Sequence, residues 1–339
     1  MGAHHVGIDL TARHRNSQAP TSFIAGERVA QADFFARAAD LGDIYPGYPY
    51  RLTSDARLQN LAPFVRDVAE HHFIGPRRIV WHRHANHGLS SQACCLNFLM
   101  PLSTQPRLLE HIMAGVLGLD AITVLPLSSD PGEPPQHIEF EWIGDANYLG
   151  EWPSKGTPTR GANVTSADAA RRFEQGIVQT VLIEWKYTES YGQPLRAKGN
   201  VTRKGRYRDR FRAPNGPIDG RHEVQLYDFF WEPFYQLLRQ QMLAWQMEHA
   251  HEQGTQRVSV LHIAPARNTS LHKVTSPALR RFGADAFAVF SSLLAEPDRF
   301  ISRSTEQVFG PFLTMEHTDP LARAWTDCVN SRYTFMTET

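Results

Sequence analysis

The apolar positions of this chain fall in short runs, and the run Thr180-Val181-Leu182-Ile183 reads as a buried strand that ends in Glu184-Trp185-Lys186. Side chains alternate along a strand, so Leu182, Glu184 and Lys186 share one face while Val181, Ile183 and Trp185 share the other. Gly176 is the natural turn before this strand. A hairpin centred on it sets Asp168 opposite Glu184. Directly opposed residues have Cβ atoms roughly 5 Å apart, which is close enough for two carboxylates to hold one divalent cation. A competing local reading caps a helix at Thr165 or Ser166 and runs it through Asp168 to Arg172, because Ala and Arg favour helices. The pairing symmetry favours the strand.

Helical spacing accounts for much of the rest. Amphipathic helices are predicted over 27–41 and 55–73, the second carrying the stripe Leu58, Leu61, Val65 and Val68 with an interruption at Pro63. Ser90-Ser91 caps a helix bearing Ala93, Cys94, Leu96, Phe98 and Leu99, and 105–119 continues helical after Pro101. Strands are expected over 121–127 and 138–143, on either side of a Pro/Gly-rich loop at 128–135. Beyond the hairpin come a basic loop over 192–222, a long helix over 226–249 and a closing strand at 258–263. Residues 1–20 read as a mobile tail, and 276–339 as helical and peripheral.

The trio Asp168, Glu184 and Lys186 is the equipment of phosphodiester hydrolysis. The reaction needs charge neutralised on phosphoryl oxygens and a water activated, which a carboxylate-held cation supplies, while a neighbouring ammonium orients the water. The plainer account of Glu184 and Lys186 is a solvated ion pair at a strand edge. Gln236 and Gln240 lie one turn apart on the long helix and share a face, where their amides can meet a phosphate, a base edge or the catalytic carboxylates, or simply form a polar outer stripe. His82, His84 and His87, with Cys94 and Cys95 nearby, raise a zinc reading, but their spacing matches no strong zinc signature.

These residues reach a known superfamily. Asp168, then Glu184-x-Lys186 on the next strand, then a Gln-bearing helix, resembles the PD-(D/E)XK nucleases. The stretches Arg160 to Ala169 and Leu182 to Tyr191, with Ser90-Ser91-Gln92-Ala93 and Glu232 to Gln241, are similar to a bacterial family of restriction endonuclease-like proteins within it, over roughly residues 80 to 270. The resemblance implies an α/β fold with a restriction-endonuclease-like core: a mixed central sheet flanked by helices. An N-terminal tail and helical cap would occupy 1–80, the nuclease-like core 81–275 and a C-terminal helical extension packed on the core 276–339. It further implies Mg²⁺- or Mn²⁺-dependent cleavage of DNA, with Asp168, Glu184 and Lys186 as the active trio, assisted by Gln236 and Gln240. Metal ligands would be Asp168, Glu184 and the backbone carbonyl of Trp185. Two departures stand out. No Pro precedes Asp168, and the carboxylate often found on the first core helix has no secure counterpart, with Gln92, Glu110 and Glu141 as candidates.

Charge sharpens the picture of the partner. Formal net charge is zero from 35 basic and 35 acidic residues, yet Arg196, Lys198, Arg203, Lys204, Arg206, Arg208, Arg210 and Arg212 face only Asp209 between them, so this segment is +7 and the remainder −7. It is the expected phosphate-gripping surface, with Tyr191, Tyr207 and Phe211 able either to stack on bases or to pack the loop down. Three cysteines make no disulfide framework and suit a reducing compartment. With no signal peptide and no apolar run approaching a membrane span, a cytoplasmic protein is expected, with DNA as partner and a homodimer as one assembly. The reading opposed to an endonuclease is a non-catalytic nucleic-acid-binding or defence-complex subunit that keeps the fold without turnover. A zinc hydrolase is a third.

Overall fold

The computed structural model describes residues 22–337 apart from 39, 75–77, 128–134 and 163. The predicted tail and most of the 128–135 loop therefore lie outside the described residues. In chain order the helices are α1 (Phe23–Arg37), α2 (Pro63–Phe73), α3 (Ser91–Leu99), α4 (Pro106–Leu117), α5 (Asn200–Phe211), α6 (Phe234–His249), α7 (Ala286–Ser292), α8 (Thr305–Leu313) and α9 (Pro320–Arg332). The strands are β1 (Thr123–Leu125), β2 (Glu139–Trp142), β3 (Ala167–Gln175), β4 (Ile177–Trp185), β5 (Arg257–Ala264) and β6 (Phe300–Ser304).

The hairpin forms as its residues require. β3 and β4 pair antiparallel from Gln175–Ile177 to Ala169–Ile183, with Gly176 at the turn in the left-handed region (φ 73°) that glycine enters without a Cβ clash. β4 then pairs parallel with β5, and β5 with β6, while β1 and β2 both run antiparallel to β3. The result is the expected mixed sheet, here of six strands. Parallel neighbours need long crossovers, and α5–α6 and α7 provide them. One face carries Val181, Ile183, Trp185 and Leu261 against residues of α3, α4, α8 and α9. The other carries Leu182 and Val260 against α5, α6 and α7. Both faces are therefore covered, which explains the unbroken apolar run of β4.

Three expectations need correction. The segment read as a basic loop contains α5, because Tyr207 and Phe211, one turn apart, provide a buried stripe that anchors an otherwise charged helix. The long helix does not begin at 226: Leu226–Phe229 is a short 3₁₀ turn, and α6 starts only after Pro233, whose ring excludes it from a helix interior. The described part of 276–339, residues 276–337, is neither wholly helical nor peripheral. β6 extends the sheet, and Phe309, Trp325 and Tyr333 are completely buried.

Arg171 on β3 is also completely buried, and among the described residues its guanidinium has no hydrogen-bond partner beyond the face of Phe173 at 5.2 Å. Burial alone pushes it down to about 9. Exchange of buried ionic groups for apolar residues of similar volume commonly stabilises by about 1–4 kcal/mol. Arg171→Met is therefore expected to raise the thermal midpoint, and a lowered midpoint would reveal a compensating partner.

Candidate active site

The β3–β4 ladder ends at the Ala169–Ile183 pair; Asp168 and Glu184 are the next residue on each strand, near enough for Glu184 to act on Asp168. The Trp185 backbone N–H donates to Asp168 Oδ2 at 2.7 Å, which ties the first carboxylate to the second strand. Glu184 is buried and its two oxygens are engaged by separate elements: Oε1 by the Lys186 ammonium and Oε2 by the Gln240 amide. Gln240, on α6, also donates to the Ser166 carbonyl at 3.3 Å. The structure thus brings together Asp168, Glu184, Lys186 and Gln240. Gln236 is half-buried one turn earlier, and among the described residues no hydrogen bond joins it to the others. Its backbone N–H donates to Glu232.

The electrostatics follow from burial. Asp168 is held well above the usual carboxylate range, first by loss of water and then by Glu184. Burial likewise raises Glu184, with Lys186 and Gln240 working against the rise. For Lys186, burial pulls downward, but Glu184 and further groups including Tyr191, Asp168 and Glu189 outweigh it, so it remains an ammonium. Asp168 thus holds a proton that a divalent cation would displace, while Glu184 and Lys186 balance each other; the two carboxyl groups are hard-oxygen donors of the kind Mg²⁺ and Mn²⁺ take. Among the described residues no group of three or more His, Cys, Asp and Glu side chains is placed to hold a metal ion.

The three candidates for the missing carboxylate separate clearly. Glu110 accepts from the Val124 N–H at 3.0 Å and lines a cavity of about 600 Å³ between α4 and α8, whose lining includes none of the trio. Gln92, on α3, lines a small cavity with Asp168, but its amide is occupied by the Val80 carbonyl (2.9 Å) and the His82 N–H (2.8 Å). Glu141 lines the same cavity. It lies on β2 between the Phe140–Ala169 and Trp142–Ala167 pairs, next to Asp168, with a left-handed φ of 49° that side chains seldom adopt. Its carboxylate accepts from Ser166 Oγ at 2.7 Å and contacts His82 Nε2 at 3.0 Å. The sequence offered Glu141 as one of three candidates for the carboxylate often found on a helix, and the strand expected over 138–143 is where it lies, with the apolar alternation Ile138, Phe140, Trp142 around it.

The zinc constellation does not assemble. His82 contacts Glu141, His87 packs on Tyr50, and burial in α3 raises both Cys94 and Cys95. The basic residues cluster as expected but differ in exposure: Arg196, Lys198, Lys204, Arg208 and Arg212 are exposed, while Arg203, Arg206 and Arg210 are half-buried. The nearby aromatics pack inward, with Tyr207 donating to Glu151, Phe211 edge-on to Phe229 and Tyr191 against the α6 side of the core.

A mixed sheet enclosed by helices, with acidic residues and a lysine at the end of its central hairpin, defines a restriction-endonuclease-like α/β protein. The chain belongs to the family described as Restriction Endonuclease associating with ARP, whose model matches residues 28–333. Neither a curated protein nor a solved structure matches it. Among the described residues no helix is long and apolar enough to cross a membrane.

Proposed function

We infer that this protein is a divalent-metal-dependent DNA endonuclease of PD-(D/E)XK type. The observation that carries the reading is the convergence of Asp168, Glu184 and Lys186 on adjacent strands, with Gln240 fixing Glu184 from α6. Asp168, Glu184 and the Trp185 carbonyl would hold Mg²⁺ or Mn²⁺, which would neutralise phosphoryl charge and lower the pKa of an attacking water. Lys186 orients that water and offsets charge developing on the phosphoryl group. Gln240 keeps Glu184 from turning away. The exposed basic residues of 196–212 meet DNA phosphates. The deciding experiment incubates purified protein with plasmid and linear DNA in Mg²⁺, Mn²⁺ or EDTA. Cleavage with either metal and none in EDTA is the expected result, and metal-independent cleavage would refute it.

A second reading has its own support. Gln92 stands on α3 where a carboxylate is often found, Glu184 is already satisfied by protein groups, and the family description speaks of association with ARP. A non-catalytic subunit working beside a partner would bind DNA and leave it intact in all three incubations.

Two expected outcomes test the metal and the DNA surface. Mg²⁺ or Mn²⁺ should raise the thermal midpoint of the wild type, because the cation binds the folded state preferentially, and Asp168→Asn should abolish that shift. An unchanged shift in the variant moves the metal elsewhere. Replacing Lys204, Arg206, Arg208 and Arg212 with Gln should weaken binding alike for all DNA sequences and flatten its salt dependence by roughly 0.9 in log–log slope for each phosphate no longer neutralised. Wild-type affinity and slope would assign DNA to another surface.

A further inference from the structure

Between α5 and α6 lies a cleft of about 480 Å³ lined by Glu151, Arg203, Arg206, Tyr207, Tyr235 and Arg239, and by none of the catalytic trio. Three guanidiniums thus converge on one cavity. Arg203 and Arg239 both stack on Tyr235, at 5.4 and 4.8 Å from its ring centroid, which fixes two planar forks on one aromatic. Glu151 does not cancel this charge freely. Its carboxylate accepts from the Thr165 backbone N–H, the Thr165 hydroxyl and the Tyr207 hydroxyl, and lies 3.9 Å from Arg239. Glu232, which is not among the lining residues, also acts on Arg239 and more weakly on Arg203. Among the described residues the Nε of Arg239 is buried with no hydrogen-bond partner, an unmet donor that costs free energy until an acceptor arrives.

The cleft is joined to the catalytic groups by two short connections. Arg239 donates to Thr165 Oγ1 at 3.2 Å while its neighbour Gln240 holds Glu184. Thr165 precedes Asp168 by three residues, a span of roughly 10 Å in extended chain.

We propose that this cleft binds an internal phosphodiester of the strand being cut, on the stretch adjoining the scissile bond, with Arg203 and Arg239 as its grip. The assignment rests on the nuclease reading for the identity of the strand, but phosphate recognition by the cleft stands apart from catalysis. Inorganic pyrophosphate, without metal, is the direct probe. It should raise the thermal midpoint of the wild-type chain, and Arg203→Gln/Arg239→Gln should lose that shift. Arg239→Lys, which keeps the charge but not the fork, should melt near the wild type without pyrophosphate and still lose most of the shift, separating loss of the site from loss of the fold. No shift in the wild type, or an equal shift in the variants, overturns the site whether or not the protein cuts DNA. If the shift behaves as stated but no DNA is cut with any metal, the endonuclease reading fails and the phosphate site stands. Oligonucleotides with and without a 5′-phosphate should bind the wild type equally. Preference for the phosphorylated end would overturn the internal phosphodiester in favour of a terminal monoester.

Discussion

Lys186→Ala should lower the rate of DNA cleavage by roughly 10²–10⁴-fold, the range expected for a group positioned on the reacting water, while affinity for duplex DNA changes little. Lys186 is buried, its ammonium rests on Glu184, and the surrounding carboxylates keep it protonated. It therefore acts as a fixed positive charge and donor, and its contribution is greatest where negative charge develops, in the transition state. The substitution also strips Glu184 of its cation, and a buried charge left unpaired typically costs about 3–5 kcal/mol. The comparison is therefore made with saturating Mg²⁺ well below the melting point of the variant, by single-turnover cleavage and equilibrium binding on the same preparation. Equal loss of rate and affinity would make Lys186 a phosphate clamp.

The central hairpin was legible because two independent signals agree on it. Gly176 sets the register, and the apolar run of β4 tells which residues lie inside, so the pairing up to Ala169–Ile183, with Asp168 and Glu184 next in line, followed without any knowledge of the remaining chain. Gln240 was legible from helical spacing, but its equivalence with Gln236 was not broken by the sequence. Only the packing of α6 against β5 decides which amide reaches Glu184. Glu141 was set on the strand expected over 138–143, but its choice over Gln92 and Glu110 was not legible, because its left-handed backbone and its neighbours Ser166 and His82 are tertiary facts. α5 was hidden by charge, since two aromatics among eight basic residues look like a loop until the groove that receives them exists. β6 was hidden for a related reason. Phe300-Ile301-Ser302-Arg303-Ser304 is short and half polar, and it becomes a strand by pairing with β5 at the sheet edge.

The C-terminal segment supports the site from beneath, so Trp325→Ala should destabilise the chain by about 3–5 kcal/mol, the usual cost of emptying a large aromatic site in a core. Trp325 is completely buried on α9, donates its indole N–H to the Asn97 carbonyl at 3.0 Å, and packs on Phe309 and Phe312 of α8. Phe309 in turn meets Trp185, with ring centroids 5.9 Å apart, and Trp185 is the residue between Glu184 and Lys186. A cavity at Trp325 is thus two aromatic contacts from the strand that carries the trio. Urea unfolding of wild type and variant gives the difference directly from the shift in midpoint at constant slope. A chain ending at residue 299 should fail to unfold cooperatively, because it lacks β6 and one aromatic wall of the core. A peripheral C-terminal extension predicts the opposite on both counts: a change under about 0.5 kcal/mol for Trp325→Ala, as for surface substitutions, and a sharp transition for the shortened chain.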